Sequence, residues 1–253
     1  MKTYAIIQAR SGSSRLPGKV LLKVLDKTIL EYVVERVKRA ATLDGVIVAT
    51  TTQKDDNQVE ALMKSAGVKC YRGSAEDVLD RYYQAAKLFE ADHVVRITAD
   101  CPLIDPGIID KVVNEYFRTK ADYCSNVLNV SFPDGQDVEV FSFKALEDSW
   151  QNAKLLSERE HVVPYIKKHP QKFKLVNFKN EIDLSAKRWT LDEKKDFEFI
   201  EIILKALYPV NPKFKMEDVL EFLKNNPEVE KINQGINRNE GYQKSLREDK
   251  VIS

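Results

Sequence analysis

Short apolar runs rich in β-branched residues alternate with helical patterns through the first half of the chain. Residues 4–9, 45–50 and 93–98 are typical of buried strands. Between them, apolar residues recur with helical spacing at 30–37 and 79–86, so each of these helices presents one apolar face. This alternation predicts a mainly parallel sheet covered by helices on both faces, in which ligands bind beyond the carboxyl ends of the strands.

The pattern changes after residue 123, where strand-like and helical pieces mix without regular alternation. The strand-like pieces are residues 138–141, 173–178 and 187–191, and the helical ones are 144–151 and 159–168. We therefore predict an α/β fold, a three-layer α/β/α sandwich with a small inserted antiparallel portion. Residues 1–230 are expected to form one domain, and residues 231–253 a polar C-terminal tail on the surface.

Composition narrows the possible functions. The 253 residues carry 40 Lys and Arg against 39 Asp and Glu, so no overall field attracts nucleic acid or an acidic membrane surface. Three distant cysteines, Cys70, Cys101 and Cys124, favour buried free thiols over a disulfide framework or a zinc site. The first apolar run is too short for a signal peptide or a membrane span, and we expect a cytoplasmic protein.

The strongest chemical pattern follows the first strand, in the loop of residues 8–19. Its small residues allow backbone N–H groups to approach an anion, and Arg10, Arg15 and Lys19 add three cations. The loop is not a P-loop, because five residues separate its glycines and Val20 stands where Ser or Thr would bind magnesium. A surface turn with solvated charges is the alternative. Its position after the first strand favours phosphate binding.

Several stretches, in a fixed order along most of the chain, resemble a known family. They are residues 6–19, 72–73 with 77–83, 96–105, 134–141, 159–162 and 188–192. The chain resembles the cytidylyltransferases that make CMP-activated sugar acids, especially the spore-coat polysaccharide biosynthesis branch, and is related to the acylneuraminate and Kdo cytidylyltransferases. The resemblance implies a glycosyltransferase-A-like nucleotide-binding fold and transfer of CMP from CTP to a sugar acid, with Mg²⁺ present and pyrophosphate released.

The same resemblance assigns the nucleotide contacts. Lys19 is expected to stabilise the leaving pyrophosphate, together with Arg10. Contacts to CTP are expected from Ala9, Arg10, Ser11, Gly12, Ser13, Arg15 and Lys19 around the phosphates, and from Arg72, Gly73 and Thr98 around the cytosine and ribose. Helix capping is the alternative for the turn that contains Arg72.

Two aspartates are the expected magnesium ligands. Asp100 directly follows the strand at 93–98, and the resemblance pairs it with Asp192. A turn acid is the alternative for Asp100, and a first-turn charge beside a Thr190–Glu193 capping box is the alternative for Asp192. The proton acceptor is left open between a water on the ion and a carboxylate such as Asp192.

Residues 122–183 are expected to bind the acceptor and to contribute to oligomerisation. Asp137, Glu139, Arg159 and His161 are the candidate contacts to the sugar, with a half-exposed strand edge and a structural histidine as alternatives. The sialic-acid and Kdo branches carry different residues around Asp100, so their acceptor residues are not transferred. Relatives often form dimers through an inserted arm, which makes a homodimer a further expectation.

Three other functions remain open at this stage. A sugar nucleotidyltransferase that uses UTP or another NTP would share the loop. A glycosyltransferase of similar architecture would normally carry an Asp-x-Asp metal motif, which is absent near Asp100. A catalytically inactive nucleotide-binding scaffold would bind CTP without reacting.

Overall fold

A seven-stranded sheet forms the centre of the molecule. A computed structural model describes residues 1–13, 15–238 and 240–251. The strands are β1 (Thr3–Gln8), β2 (Lys23–Val24), β3 (Lys27–Thr28), β4 (Gly45–Thr51), β5 (Lys69–Gly73), β6 (His93–Thr98), β7 (Tyr123–Ser125), β8 (Glu139–Ser142) and β9 (Leu175–Asn177). The strand order in the sheet is β5-β4-β1-β6-β8-β7-β9. Strands β5, β4, β1 and β6 run parallel, whereas β8 is antiparallel to both β6 and β7.

Helices cover both faces of this sheet. They are α1 (Ile29–Val37), α2 (Asn57–Ser65), α3 (Val78–Leu88), α4 (Pro106–Thr119), α5 (Phe143–Asn152), α6 (Leu156–His161), α7 (Pro164–Lys168), α8 (Lys194–Leu207), α9 (Met216–Asn225), α10 (Pro227–Glu230) and α11 (Glu240–Arg247). Strands β2 and β3 form a separate hairpin that leads into α1. None of the helices in the described ranges combines the length and apolar character that crossing a bilayer requires.

The alternation of side chains along β1 divides the apolar core in two. Ala5 and Ile7 are fully buried in the core beneath α1, α4 and α8, whereas Ile6 is fully buried in the core beneath α3 and α5. Because successive strand residues point to opposite faces, a strand that is apolar at every position must be covered on both sides. The expected three-layer, mainly parallel α/β fold with a small antiparallel portion is confirmed.

The carboxyl ends of the strands are held by polar side chains. Asp105 accepts a hydrogen bond from the Gly107 N–H at 2.7 Å and so caps α4, and its other oxygen accepts the N–H of Met216 at 2.7 Å. The Gln136 amide bonds both the Asp105 N–H at 2.9 Å and the Leu103 carbonyl at 2.7 Å. These contacts fix the segment that follows β6 against later parts of the chain.

Three local expectations were wrong. Residues 187–191 do not form a strand, since only a single bridge joins Arg188 to Asp134 there. Residues 159–168 are not one helix: Val162 adopts a positive φ of 72° and Pro164 begins a new helix, so α6 and α7 are separate. Cys70, expected to be buried, is half-buried.

Candidate functional site

A cleft of about 1040 Å³ opens at the carboxyl ends of β1 and β6. It is lined by the basic loop that follows β1 and by residues 237, 238, 240–245, 247 and 248 of the C-terminal segment. Its floor carries Gln8, Arg96 and Thr98 from the two central strands. Ligand binding at this edge is what a parallel α/β sheet favours, because the strand ends and helix starts converge there.

The basic loop is closed upon itself by backbone hydrogen bonds. The Ser11 carbonyl accepts the N–H groups of Ser13 at 3.0 Å and Gly18 at 2.9 Å. Gly18 has a positive φ of 70°, which favours glycine at this turn. The Ser11 N–H donates to Asp56 at 2.7 Å, so in this conformation the N–H groups of Ser11 and Ser13 are both used within the protein. Gly12 and Ser13 line the cleft.

Lys19 joins the two predicted metal ligands. Its Nζ lies 2.7 Å from Asp100 Oδ2, 2.9 Å from Asp192 Oδ1 and 2.8 Å from the Leu191 carbonyl. Burial opposes the charge on Lys19, but Asp100 and Asp192 outweigh it and raise the pKa of the ammonium group. Burial likewise opposes the charge on Asp100, and Lys19 outweighs it and lowers the pKa of that carboxyl group. Asp100 and Asp192 are distant in sequence, but a backbone hydrogen bond from the Leu191 N–H to the Asp100 carbonyl, at 2.8 Å, holds their segments together.

Two further arginines contact Asp192. Arg15 Nη2 lies 3.0 Å from Asp192 Oδ1, and Arg188 Nη2 lies 3.5 Å from Oδ2. Arg188 is itself held by the fully buried Asp196 through two bonds of 2.9 Å and by Asp134 at 3.2 Å. The Thr190–Glu193 capping box, the alternative considered for this segment, does not form, because the Asp196 side chain accepts the N–H groups of Asp192 and Glu193 just before α8. Asp192 is thereby free to face the cleft.

A glycine keeps the segment before α8 close to the strand region. Gly135 has φ of 102°, and a Cβ at this position would lie 2.7 Å from the backbone of Trp189. The backbone of Asp134 bonds the same segment on both sides, to Lys187 at 2.9 Å and to Trp189 at 2.7 Å. Any larger residue at 135 would push the Asp192 segment away from Asp100.

Of the residues predicted to contact the base and ribose, Thr98 lies in the cleft and Arg72 does not line it. Thr98 lines the cleft, and its hydroxyl lies 3.2 Å from Cys101 Sγ. Arg10 also lines the cleft and only weakly contacts the Ala75 carbonyl, at 3.4 Å. The Arg72 guanidinium instead bonds Glu60 on α2 at 2.8 Å and the Thr51 carbonyl at 2.9 Å. The structure thus ties Arg72 to the second helix rather than to the cleft.

Of the four predicted acceptor residues, Asp137 and His161 line the cleft, whereas Glu139 and Arg159 do not. Asp137 lines the cleft and accepts Arg238 Nη2 at 2.5 Å. Burial, Asp134 and Glu139 raise the pKa of Asp137 to about 7, although Arg238 acts in the opposite direction. Glu139 lies beneath the cleft floor, where it pairs with Arg96 and accepts the Tyr123 hydroxyl at 2.5 Å. Glu139 therefore supports the cleft from below.

Arg159 and His161 lie on the short helix α6 but face different surroundings. Arg159 bonds both oxygens of Asp77, at 3.1 and 2.9 Å through Nε, and the Trp150 carbonyl at 2.6 Å, which fixes α6 to the start of α3. His161 lines the cleft, with Nε2 3.0 Å from the Ser245 hydroxyl. Burial lowers the pKa of His161 to about 4, so the imidazole is neutral at pH 7.

The C-terminal segment, expected only as a polar surface tail, carries cleft residues that the sequence analysis did not identify. It contains helix α11, which contacts His161 through Ser245 and through the Tyr242 ring, whose centroid lies 4.9 Å away. Asp249 fixes the end of the segment by accepting the N–H and hydroxyl of Ser157 at 3.0 and 2.7 Å. Polar composition was the only sequence signal here, and a cleft wall has the same composition as a solvated tail.

The cleft has cations on one side and carboxylates beside them, as binding of a polyphosphate with a metal ion requires. In the described part of the chain, no cluster of three or more His, Cys, Asp or Glu side chains is arranged to hold an ion. Asp100 and Asp192 contact the same ammonium group, so their oxygens are close enough to share a cation. An ion there would complete its coordination with water and phosphate oxygens, which is how Mg²⁺ is usually held at a nucleotide.

Comparison with known proteins gives a consistent result. The family model described as cytidylyltransferase matches residues 4–231. An uncharacterized protein of Methanocaldococcus jannaschii is 42% identical over 250 residues, which span 98% of this chain and 99% of that protein. The spore coat polysaccharide biosynthesis protein SpsF of Bacillus subtilis is 31% identical over 243 residues, or 88% of this chain and 95% of that protein.

Two further matches connect the chain to named cytidylyltransferases. The 3-deoxy-manno-octulosonate cytidylyltransferase 2 of Hydrogenovibrio crunogenus is 35% identical over 149 residues, which cover 57% of this chain and 58% of that protein. A solved cytidylyltransferase structure from Leptospira borgpetersenii superposes with a TM-score of 0.88 at 38% identity, covering 94% of this chain and 100% of that one.

Proposed function

The chain belongs to the cytidylyltransferase family, and from this we propose that it transfers CMP from CTP to a sugar acid and releases pyrophosphate. The observation that carries the proposal is the contact of Lys19 with both Asp100 and Asp192 at one end of a loop that holds two further cations. This contact supports a cationic phosphate site next to a two-carboxylate cation site. Transfer of a nucleotidyl group needs both, because negative charge grows on the departing pyrophosphate.

Mg²⁺ is the ion that we propose for the carboxylate pair. Both donors are carboxylate oxygens on separate elements, which suits a hard cation that keeps several water ligands. A bound ion would polarise the α-phosphate and neutralise charge as the bond to pyrophosphate breaks. Lys19 already occupies the position between the carboxylates, so its ammonium group must move toward the phosphates when an ion binds.

The chain's own residues position the triphosphate and balance its charge. Among the described residues, Arg10 makes one weak contact and Arg15 contacts two acidic side chains that border the cleft, so both guanidinium groups are available to phosphate oxygens. A departing pyrophosphate would be met by Lys19 and Arg15, which approach from the loop side. Such charge-assisted contacts are the main contribution that a protein makes to phosphoryl and nucleotidyl transfer.

Asp137 is the carboxylate that we propose as proton acceptor for the attacking sugar hydroxyl. Asp192 is less suited, since Lys19, Arg15 and Arg188 already contact its oxygens. Asp137 lines the cleft and has a pKa of about 7, which is close to the optimum for a general base at neutral pH. His161 is neutral at pH 7 and lies on the same side, where it could accept or donate a hydrogen bond to a sugar hydroxyl.

The acceptor class is inferred from the relatives together with the cleft. One relative is named for 3-deoxy-manno-octulosonate, a sugar acid, and another for spore coat polysaccharide biosynthesis. A nonulosonic acid or a similar sugar acid is therefore the acceptor that we propose, and its activated form would supply a glycan or polysaccharide. The cleft volume of about 1040 Å³ accommodates a nucleotide together with a sugar.

The proposal is tested with the full chain, Mg²⁺ and a panel of sugar acids, with pyrophosphate release as the measurement. CTP is expected to support the reaction and to raise the melting temperature more than ATP, GTP or UTP; at 100 times its Kd a ligand adds about 2.7 kcal/mol of stability. Faster turnover with UTP would assign a different nucleotide. CTP binding without any release across the panel would instead favour a non-catalytic nucleotide-binding protein.

A further inference from the structure

Part of the cleft wall is supplied by the C-terminal segment, whose Glu240 lies 3.5 Å from Arg15 of the basic loop. Residues 237, 238, 240–245, 247 and 248 line the cavity, whereas the family match ends at residue 231. The segment is attached on the side of α6, where Ser245 bonds Glu160 at 2.6 Å and Leu156 bonds the Lys250 carbonyl at 3.0 Å. The side of the cleft near His161 is therefore built partly from residues beyond those that the family model matches.

Arg238 is the cation that this segment places inside the cleft. Only 16% of its side chain is exposed. Its Nη2 bonds Asp137 at 2.5 Å, and its Nη1 donates to the Phe132 carbonyl at 3.2 Å. The Nε–H is buried and makes no hydrogen bond with the described residues, and its nearest carboxylate oxygen belongs to Asp134, at 3.7 Å. Arg238 thus has spare donor capacity in a cavity that receives a polar ligand.

Two other arginines that line the cleft, Arg81 and Arg96, also have a buried Nε–H without a partner among the described residues, but each is held by a group outside the cavity lining. Arg81 donates to the Ser74 carbonyl at 2.7 Å, and Arg96 pairs with Glu139, which is 3% exposed and also bonded by Tyr123. Arg159 is fixed on Asp77 and contributes nothing to the cavity lining in the described ranges. By contrast, the partner of Arg238 is itself a cleft residue, so a ligand can replace or share that contact.

The position of Arg238 also suits the geometry of the proposed acceptors. In a 2-keto sugar acid, the anomeric hydroxyl that would attack phosphorus and the carboxylate are on adjacent carbons. The cation that binds the carboxylate must therefore lie near the metal site. Arg238 meets this condition, because Asp134 contacts both Arg238 and Arg188, and Arg188 in turn contacts Asp192.

We propose that Arg238 binds the carboxylate of the acceptor sugar acid and thereby distinguishes acids from neutral sugars. This inference rests on the proposed function. The guanidinium group offers a planar fork that matches a carboxylate, which an ammonium group cannot reproduce. When the acceptor carboxylate takes up Arg238, Asp137 loses its counter-ion and is left beside the attacking hydroxyl, as a proton acceptor should be.

The test compares each 2-keto sugar acid of the panel, including 3-deoxy-manno-octulosonate, with its C1 carboxamide. For the wild-type chain we expect kcat/KM to favour the acid, and Arg238→Gln should lower the value for the acid by roughly 10- to 150-fold, as loss of a hydrogen bond to a charged group does. The carboxamide should be affected much less, and the KM for CTP should change little. The kcat/KM of Arg238→Lys for the acid should lie between the values for wild type and Arg238→Gln. As a control, Lys231→Gln removes a charge from the same segment outside the cleft.

The outcomes separate the two proposals. If acids react and Arg238→Gln keeps the wild-type preference for acid over carboxamide, the role of Arg238 is wrong while the proposed function stands. If wild type uses only neutral sugars or no sugar at all, both the sugar-acid function and this role are overturned. A variant is folded if CTP raises its melting temperature as much as it raises that of wild type. If Arg238→Gln does not show this rise, the ratio of kcat/KM for acid over carboxamide is measured with Arg238→Lys and decides in its place.

Discussion

The ammonium nitrogen of Lys19 lies 2.7 Å from the carboxylate of Asp100, at the boundary between the phosphate loop and the acidic side of the cleft. The same nitrogen contacts Asp192 at 2.9 Å. Lys19 therefore neutralises two adjacent carboxylates while no ion separates them. An ion held by these two carboxylates would compete with Lys19, whose ammonium group would then be available to the phosphates.

Replacement of Lys19 by Met should separate its two roles. We expect kcat to fall by about 10²- to 10³-fold, because one charged donor to the leaving group is lost. Binding of Mn²⁺ in the absence of nucleotide, measured by electron paramagnetic resonance, should become tighter than in wild type, since the competing ammonium group is gone. Unchanged or weaker Mn²⁺ binding would show that Lys19 does not occupy the ion's position.

Replacement of Asp192 by Asn should remove one of the two carboxylates proposed to hold the ion. The Asn side chain keeps the shape but loses the negative charge, so Mn²⁺ binding and kcat should both fall, the latter by at least about 10²-fold. Asp55→Asn, on an exposed part of the surface, removes the same charge and serves as the control. Equal Mn²⁺ affinity in the Asp192 and Asp55 variants would remove Asp192 from the ligand set.

Much of the fold could be predicted because its signals are local. The all-apolar run in β1 requires helices on both faces, and that layered arrangement is confirmed. Residues 187–191 have the same apolar and polar alternation as a strand but pair only through Arg188 and Asp134. Their conformation is decided by bonds to Asp100, Asp134 and Asp196, which are distant in sequence and leave no periodic trace.

The candidate site could be predicted only in part, for a related reason. A loop that follows the first strand must lie at the ligand edge of the sheet, so Arg10 and Lys19 were accessible to sequence reasoning. The position of Arg238 depends on how the C-terminal segment returns to α6, which is fixed by contacts such as that between Ser157 and Asp249. Arg159 carries a charge typical of a ligand contact, yet Asp77 uses it structurally.

Asp196 is expected to be a stability residue rather than a catalytic one. It is fully buried and bonds Arg188 twice, at 2.9 Å, so Asp196→Ala should lower the free energy of unfolding by about 3–5 kcal/mol, as loss of one partner of a buried ion pair does. Glu198→Ala, on the exposed side of α8, is the matched control. Chemical denaturation at pH 7 measures the difference.

The loss of stability caused by Asp196→Ala should depend on pH. Burial opposes the charge on Asp196, but its bonds to Arg188 and to the backbone outweigh it and lower its pKa. A depressed pKa stabilises the fold above the unfolded value of about 3.9, and this contribution disappears as the pH falls through the folded value. The difference between wild type and Asp196→Ala should therefore shrink below about pH 4. A difference that grows with acidity would contradict this assignment.

The contribution of Asp137 to stability should change with pH in the opposite direction. Its pKa rises from about 3.9 in the unfolded chain to about 7 in the fold, so the folded state resists ionisation of this group. Stability that the neutral carboxyl provides is complete below pH 4 and is lost as the pH rises toward 7. Relative to wild type, Asp137→Asn should accordingly gain stability between these pH values, and Asp26→Asn, at an exposed position, serves as the control.

The catalytic behaviour of Asp137→Asn tests whether the same carboxyl group accepts the proton. In wild type kcat/KM should rise with pH through an inflection near 7, because only the ionised carboxylate can take the proton from the sugar hydroxyl. Asn cannot accept it, so the variant should lose the inflection and about 10²- to 10⁴-fold of the rate. If Asp137 only orients the sugar, KM for the acceptor would rise while the pH profile kept its wild-type shape, and the proton acceptor would have to be sought elsewhere in the cleft.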